Sequence, residues 1–368
     1  MHGANLMKAL RARRPDTEMF GIGGARMRRE GLRCIFPAEE LSVVGLVEVL
    51  KRLPFYLKIL KLSASAMCRE QVDAFIPIDF PDFNIALAKS AQKNHIPVLY
   101  YICPQVWAWR SGRIKTIEER VDLLLTIFPF EPQYFSKERL NALYVGHPVL
   151  DDVEIHVRSR DAVTRGQGTC AILPGSRHSE VFHHMPVLIP FIAAELRAHP
   201  ELRFVIPCAE SLNPDLLHGI CAPVLNDSAI AGRLEIAGPG QSLEVMRRAD
   251  AALIASGTST LQAVLCDIPF AIFYRVNPLT AWLGKRLIRI GNVGLVNLVA
   301  GKTICREFLQ EDMRADNLKK EMENLMWNSA YRQTLLDSFV PVRHQLGKPG
   351  ASAKAADAMV QFLDKLRR

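Results

Sequence analysis

The sequence predicts an α/β protein of two doubly wound domains, the first of which opens without its first strand and glycine loop. Three observations predict it. Short apolar runs alternate with helical patterns along nearly all of the 368 residues, the rhythm of parallel strands joined by crossover helices. At roughly 150 residues per domain the length suits two. The chain starts inside a helical pattern, Leu6 and Leu10 apolar among Lys8, Arg11 and Arg13, where such a domain normally opens on a strand and a Gly-rich turn.

Taken in order, the first domain carries strand-like runs at 19–22, 74–78, 98–102, 123–128 and 143–145. The second carries them at 170–173, 203–207, 234–236, 251–255 and 270–274. A charged stretch with little apolar periodicity separates the two sets near 148–168. The predicted domains are therefore 1–150 and 151–340. Helical patterns without strands run from about 315 to 367, and residues 341–368 are expected to form a tail that packs back on the first domain.

Composition narrows the classes of function. With 49% apolar and 23% charged residues the chain reads as a folded, soluble protein. No apolar run reaches the ~18 residues of a membrane span, and the first residues lack a signal-peptide pattern, so a cytoplasmic location is expected. The eight cysteines stand singly; Cys103, Cys170 and Cys208 lie in apolar runs, which predicts reduced, buried thiols rather than disulfides or a zinc site. A net charge of +8 suits anionic small molecules or an anionic membrane surface. Nucleic acid is disfavoured, because no helix-turn-helix, RNP-like strand or long basic run is present.

Five segments carry chemistry. Leu173-Pro174-Gly175-Ser176-Arg177 follows a strand and opens a helix: glycine lets a ligand approach the backbone, helix-start N–H groups attract an anion, and Arg177 suits phosphate. An ordinary βα turn with a surface arginine explains it equally well. Ser256-Gly257-Thr258, followed by Gln262, repeats the arrangement, against simple N-capping. Two such turns in one domain favour a nucleotide diphosphate. Asp79, in Ile78-Asp79-Phe80-Pro81-Asp82-Phe83-Asn84, stands at a strand end, where open sheets bind ligands, and can serve as a general base or as a cap; Asp82 and Asn84 read as caps. Val106-Trp107-Ala108-Trp109-Arg110 suits either a pocket or a domain contact. From 41 to 60, apolar residues cover more than one helix face beside Lys51, Arg52 and Lys58, which fits an interfacial membrane anchor or a helix buried between layers. His178, His183 and His184 lack the spacing and carboxylates of a metal cluster and read as surface or pocket residues.

In their order along the chain, these segments resemble bacterial lipid-A-disaccharide synthase. Gly21 to Met27, Glu39 to Gly45, Ile78 to Asn84, Val106 to Arg110, Val145-Gly146-His147-Pro148, Leu173 to Arg177, Ser256-Gly257-Thr258 and Asn297 to Gly301 carry the resemblance. It implies a GT-B fold of two Rossmann-like domains with the active site in the cleft between them. It also implies inverting, metal-independent transfer of 2,3-diacylglucosamine from UDP to the 6-hydroxyl of 2,3-diacylglucosamine 1-phosphate. The product is a β(1→6) disaccharide 1-phosphate.

By the same match Asp79 is the base. Gly175, Ser176, Arg177, Ser256, Gly257, Thr258, Gln262, Asn297 and Glu307 line the donor side, and Val47, Val49, Leu50 and Leu53 face the membrane. Expected partners are the two lipid substrates and the cytoplasmic face of the inner membrane, with room for a homodimer and no cofactor. Two departures stand out. The family's Gly-Glu-x-Ser-Gly-Asp loop is not found before the helix beginning at His2, and Gln262 stands where the family often has Glu. Two other readings are a nucleotide-binding remnant and a UDP-sugar transferase with another acceptor.

Overall fold

The computed structural model describes residues 2–41, 53–104, 106, 112–137, 139–151, 168–278, 281 and 292–366. They fall into two compact units. One takes the described residues up to Asp151 and from Leu346 onward; the other takes those from Gly168 to Gln345.

The first unit opens with α1 (His2–Arg13), followed by β1 (Phe20–Gly23), α2 (Ala25–Arg29) and β2 (Arg33–Pro37). Then come α3 (Leu53–Arg69), α4 (Pro81–Lys93), β3 (Leu99–Tyr101), α5 (Arg113–Arg120), β4 (Leu123–Thr126) and β5 (Asn141–Tyr144). β1 and β2 pair in parallel, and β3, β4 and β5 form a second parallel sheet in that order.

The expected strand at 74–78 does lie beside β3, but as two isolated bridges rather than a ladder. Phe75 N donates to Pro97 O, Leu99 N to Phe75 O, Tyr101 N to Pro77 O and Asp79 N to Tyr101 O. The rung from residue 77 is missing because proline has no N–H to give. Val98, Leu99, Tyr100 and Tyr101 are fully buried, and Ala88 and Ala91 of α4 bring that helix close against this core.

The last helix belongs to the first unit. Asp151 accepts from the backbone N–H groups of Gly350 (2.6 Å), Ala351 (3.2 Å) and Ser352 (3.0 Å), capping its N-terminus from a distance in sequence. Its body lies along α1, with Arg13 gripping Asp357 through two nitrogens and Arg14 paired with Asp364.

The second unit runs β6 (Thr169–Leu173), α6 (His178–Ala198), β7 (Arg203–Pro207), α7 (Pro214–Leu225), β8 (Leu234–Ala237) and α8 (Ser242–Arg248). It continues with β9 (Ala251–Ala255), α9 (Ser259–Leu265), β10 (Phe270–Tyr274), α10 (Leu295–Ala300), β11 (Glu307–Leu309), α11 (Ala315–Trp327) and α12 (Ser329–Leu346). The helix capped by Asp151 is α13 (Ala351–Leu366).

Six strands form one parallel sheet in the order β11-β10-β9-β6-β7-β8. β9 is buried along its whole length and β6 along nearly all of it, which is why both read as unbroken apolar runs. The chain winds outward from β6 to β7 and β8, then returns to β9 and winds the other way. The direction of winding therefore reverses between β6 and β9. β2 and β11 were not foreseen: each is short, β2 is half-exposed, and β11 is an edge strand whose Glu307 faces into hydrogen bonds.

Candidate functional site

In open α/β sheets ligands collect outside the carboxyl ends of the strands, at the point where the winding reverses. In the second unit that point lies between Leu173 and Ala255, the last residues of β6 and β9. The two turns singled out in the sequence, 175–177 and 256–258, leave from these two ends.

The first turn is built around a residue the sequence reading passed over. The buried carboxylate of Glu180 accepts from Ser176 N (2.9 Å) and Arg177 N (3.3 Å), and pairs with the Arg177 guanidinium at 2.7 Å. Glu180 thus takes up N–H groups that were expected to face an anion. A glutamate three residues after the N-cap, the acceptor half of a capping box, was the signal for it. Gly175 has φ +112°, and a Cβ there would come within 2.4 Å of Glu180 Oε2, so glycine is required by the cap itself.

His184 is fully buried, which corrects its reading as a surface or pocket residue. Arg275 N donates to its Nε2 (3.0 Å), so Nδ1 carries the proton and donates to Pro174 O (2.7 Å). The neutral ring pins the 174–177 turn to the end of β10, and burial lowers its pKa in keeping with that.

The second turn differs. Thr258 gives no side-chain cap, and the Ser256 hydroxyl donates to Val293 O at 3.0 Å instead of capping α9. Among the described residues, nothing accepts from the N–H groups of Gly257, Thr258 and Ser259. Nor does anything there lie within 4 Å of a Cβ built on Gly257. Gln262 is half-exposed on the same helix. The two glycines should therefore respond differently to alanine. Gly257→Ala is expected to leave the urea midpoint in place while weakening uridine diphosphate binding. Gly175→Ala is expected to lower the midpoint first, as its Cβ evicts Glu180. Loss of stability in both variants would remove the distinction.

Asn297 and Glu307 support this turn from below. The Asn297 amide is buried, donating to Cys305 O (2.7 Å) and Glu307 Oε1 (2.7 Å) and accepting from Ile304 N (2.9 Å) and Cys305 N (2.9 Å). Glu307 also accepts from Val293 N (2.8 Å) and Gly294 N (2.9 Å). Ser256, Val293, Glu307 and Asn297 thus form one chain of hydrogen bonds. Asn297, expected to border the donor, has its hydrogen-bonding capacity used inside the protein and acts as a brace.

Asp79 belongs to the first unit. It and Phe80 both take left-handed backbone conformations (φ +49° and +46°), which non-glycine residues rarely adopt and which cluster at functional turns. The turn is held from the inside: the Tyr100 hydroxyl (2.7 Å) and the Asn84 amide (2.6 Å) donate to Asp79 O. The Asp79 side chain stays exposed. Asn84 and Asp82 do not cap α4 as expected, since Pro81 at its first position and Phe80 before it leave no side-chain cap. Asp82 pairs instead with Arg113 at the start of α5. After β5, His147 is buried and its Nδ1 accepts from Val149 N, and burial lowers its pKa to about 3.

On α3, Leu53, Leu57 and Leu62 are 46–50% exposed beside the exposed Lys58 and Lys61. Val47, Val49 and Leu50 lie outside the described residues, as do Trp107 to Arg110. None of the described helices is long and apolar enough to cross a membrane.

The family model described as lipid-A-disaccharide synthetase matches residues 1–359. The chain belongs to the lipid-A-disaccharide synthetase family. A lipid-A-disaccharide synthase from Myxococcus xanthus is 36% identical, the match covering 98% of this chain and 94% of that relative. Among solved structures, an S. aureus MnaA–UDP complex aligns with a TM-score of 0.66 at 11% identity, over 99% of this synthetase-family chain and 94% of that one. The calicheamicin glycosyltransferase CalG4 aligns with a TM-score of 0.58 at 14% identity, over 99% and 95% of the two chains. At such identities these structures speak for the fold alone, a parallel α/β fold.

Proposed function

We propose that this family member transfers 2,3-diacylglucosamine from UDP to the 6-hydroxyl of 2,3-diacylglucosamine 1-phosphate. The products are the β(1→6) disaccharide 1-phosphate and UDP. The observation that carries the reading is the placement of the 175–177 and 256–258 turns on either side of the winding reversal, in a chain of this family. The open N–H groups at 257–259 and the Arg177 guanidinium suit the diphosphate. As the anomeric C–O bond to UDP breaks, negative charge grows on the leaving diphosphate, and fixed donors there stabilise it. Asp79 takes the proton from the attacking 6-hydroxyl, the new bond forms on the opposite face, and configuration inverts.

In the test, purified chain is incubated with both lipids in detergent micelles, and disaccharide and UDP are followed by mass spectrometry. Protein that binds UDP yet releases neither product would overturn the reading.

Acyl-chain substrates reside in a membrane, and the exposed leucines of α3 with Lys58 and Lys61 suit docking on its anionic cytoplasmic face. Leu53→Glu with Leu57→Glu is expected to shift most of the protein from pellet to supernatant when it is sedimented with anionic vesicles. Unchanged sedimentation would mean that this face binds something other than lipid.

A further inference from the structure

We propose that the last turn of α6 and the facing turn of α11 form a binding site for one divalent transition-metal ion, held by Glu195, His199 and Glu323. The site lies in the second unit, away from the donor turns. α6 begins at the carboxyl end of β6, and Glu195 stands seventeen residues along it, about 25 Å from its start.

His199 is the C-cap of α6, one turn beyond Glu195, and its backbone N–H donates to Glu195 O. Their donor atoms and that of Glu323 all lie within 4.8 Å of one another. A tetrahedral ion with bonds of roughly 2.1 Å needs such atoms about 3.4 Å apart, so small side-chain rotations close the set.

The second, independent observation is Glu195 itself. It is 2% exposed, and its Oε2 has no hydrogen-bond partner among the described residues. His199 Nε2 stands 3.6 Å from that oxygen, and Lys319 Nζ stands 3.9 Å from Oε1, both beyond hydrogen-bonding distance. A buried carboxylate with an orphaned oxygen is costly unless a cation meets it.

The surroundings suit a ligand histidine. The Trp327 ring packs on His199 with centroids 4.6 Å apart, fixing the imidazole plane. Glu201 Oε1 lies 3.9 Å from Nδ1, beyond hydrogen-bonding distance but on the side where a carboxylate would meet the other ring nitrogen of a metal-bound histidine. One imidazole with two carboxylates favours ions of the zinc type over calcium or magnesium. Bound there, the ion would brace α6 against α11.

The rival account is a plain ion pair in which Lys319 alone balances Glu195, and the two accounts differ in sign. Calorimetric titration of the full, metal-stripped chain with Zn²⁺ is expected to show one ion per chain, and Co²⁺ to give d–d absorption. His199→Gln and Glu323→Gln, both at partly exposed positions that tolerate the change, are expected to weaken Zn²⁺ binding at least about tenfold. They should also abolish the rise in Tm that Zn²⁺ gives the parent. Lys319→Gln removes a competing cation and is expected to tighten Zn²⁺ binding several-fold. The site is refuted if the parent takes up no Zn²⁺, or if both glutamine variants keep the parent's stoichiometry and affinity. It is equally refuted if Lys319→Gln destabilises the chain without tightening the metal.

Discussion

Asp79→Asn is expected to lower kcat by roughly 10²- to 10⁴-fold while UDP affinity stays within about twofold of the parent, because only the base is lost. The substitution is nearly isosteric, and the turn survives it. Asp79 N still donates to Tyr101 O, and Asp79 O still accepts from Tyr100 and Asn84. The donor turns lie in the other unit and make none of these bonds. Isothermal titration with UDP, paired with disaccharide formation under saturating substrates, separates binding from turnover. Loss of UDP affinity in step with turnover would sink the base assignment.

A companion variant tests why Asp79 sits where it does. Two consecutive left-handed residues cost on the order of 1–3 kcal/mol each, so the turn persists because its carbonyl is held. Asn84→Ala removes one of those holds. It should reduce kcat less than Asp79→Asn and leave the same catalytic pH profile, since it displaces the base without replacing it.

How much of this was legible in the sequence depends on which forces set each feature. The strands at 170–173, 203–207, 251–255 and 270–274 were plain, because a parallel strand covered on both faces must be apolar throughout. β11 was not, because an edge strand of three residues centred on one buried phenylalanine leaves no pattern. The 175–177 and 256–258 turns could be located, since glycine and hydroxyl residues after a strand mark a βα turn. What occupies their N–H groups could not be told apart. At one turn a buried glutamate fills them, and at the other a hydroxyl turns away to Val293. His184 was misread because its partners come from residues 174 and 275, which only the folded sheet brings together. Asp79 was legible from its place at a strand end, whereas its support by Tyr100 depends on pairing with β3.

The second large effect concerns Asn297. Asn297→Ala is expected to destabilise the second unit by about 3 kcal/mol or more, because it orphans buried groups at roughly 1–3 kcal/mol each. The N–H groups of Ile304 and Cys305 lose their acceptor, and Cys305 O and Glu307 lose a donor, at a position with 0% exposure. Urea unfolding read by a probe in that unit measures it, since two units need not unfold together. Asn297→Asp sharpens the argument. It keeps an oxygen for Ile304 N and Cys305 N but replaces the amide nitrogen, 2.7 Å from Glu307 Oε1, with a second carboxylate oxygen. Two such groups cannot both ionise cheaply, so folding raises a carboxyl pKa in the pair. Stability should then be near the parent's at acidic pH and fall as pH rises, the sign for a group whose folded pKa lies above its unfolded value. Because Glu307 holds Val293 and Gly294, and Val293 holds Ser256, UDP affinity should fall in proportion to that loss of order. If Asn297→Ala weakens UDP binding while the urea midpoint stays put, Asn297 touches the donor directly and is no brace.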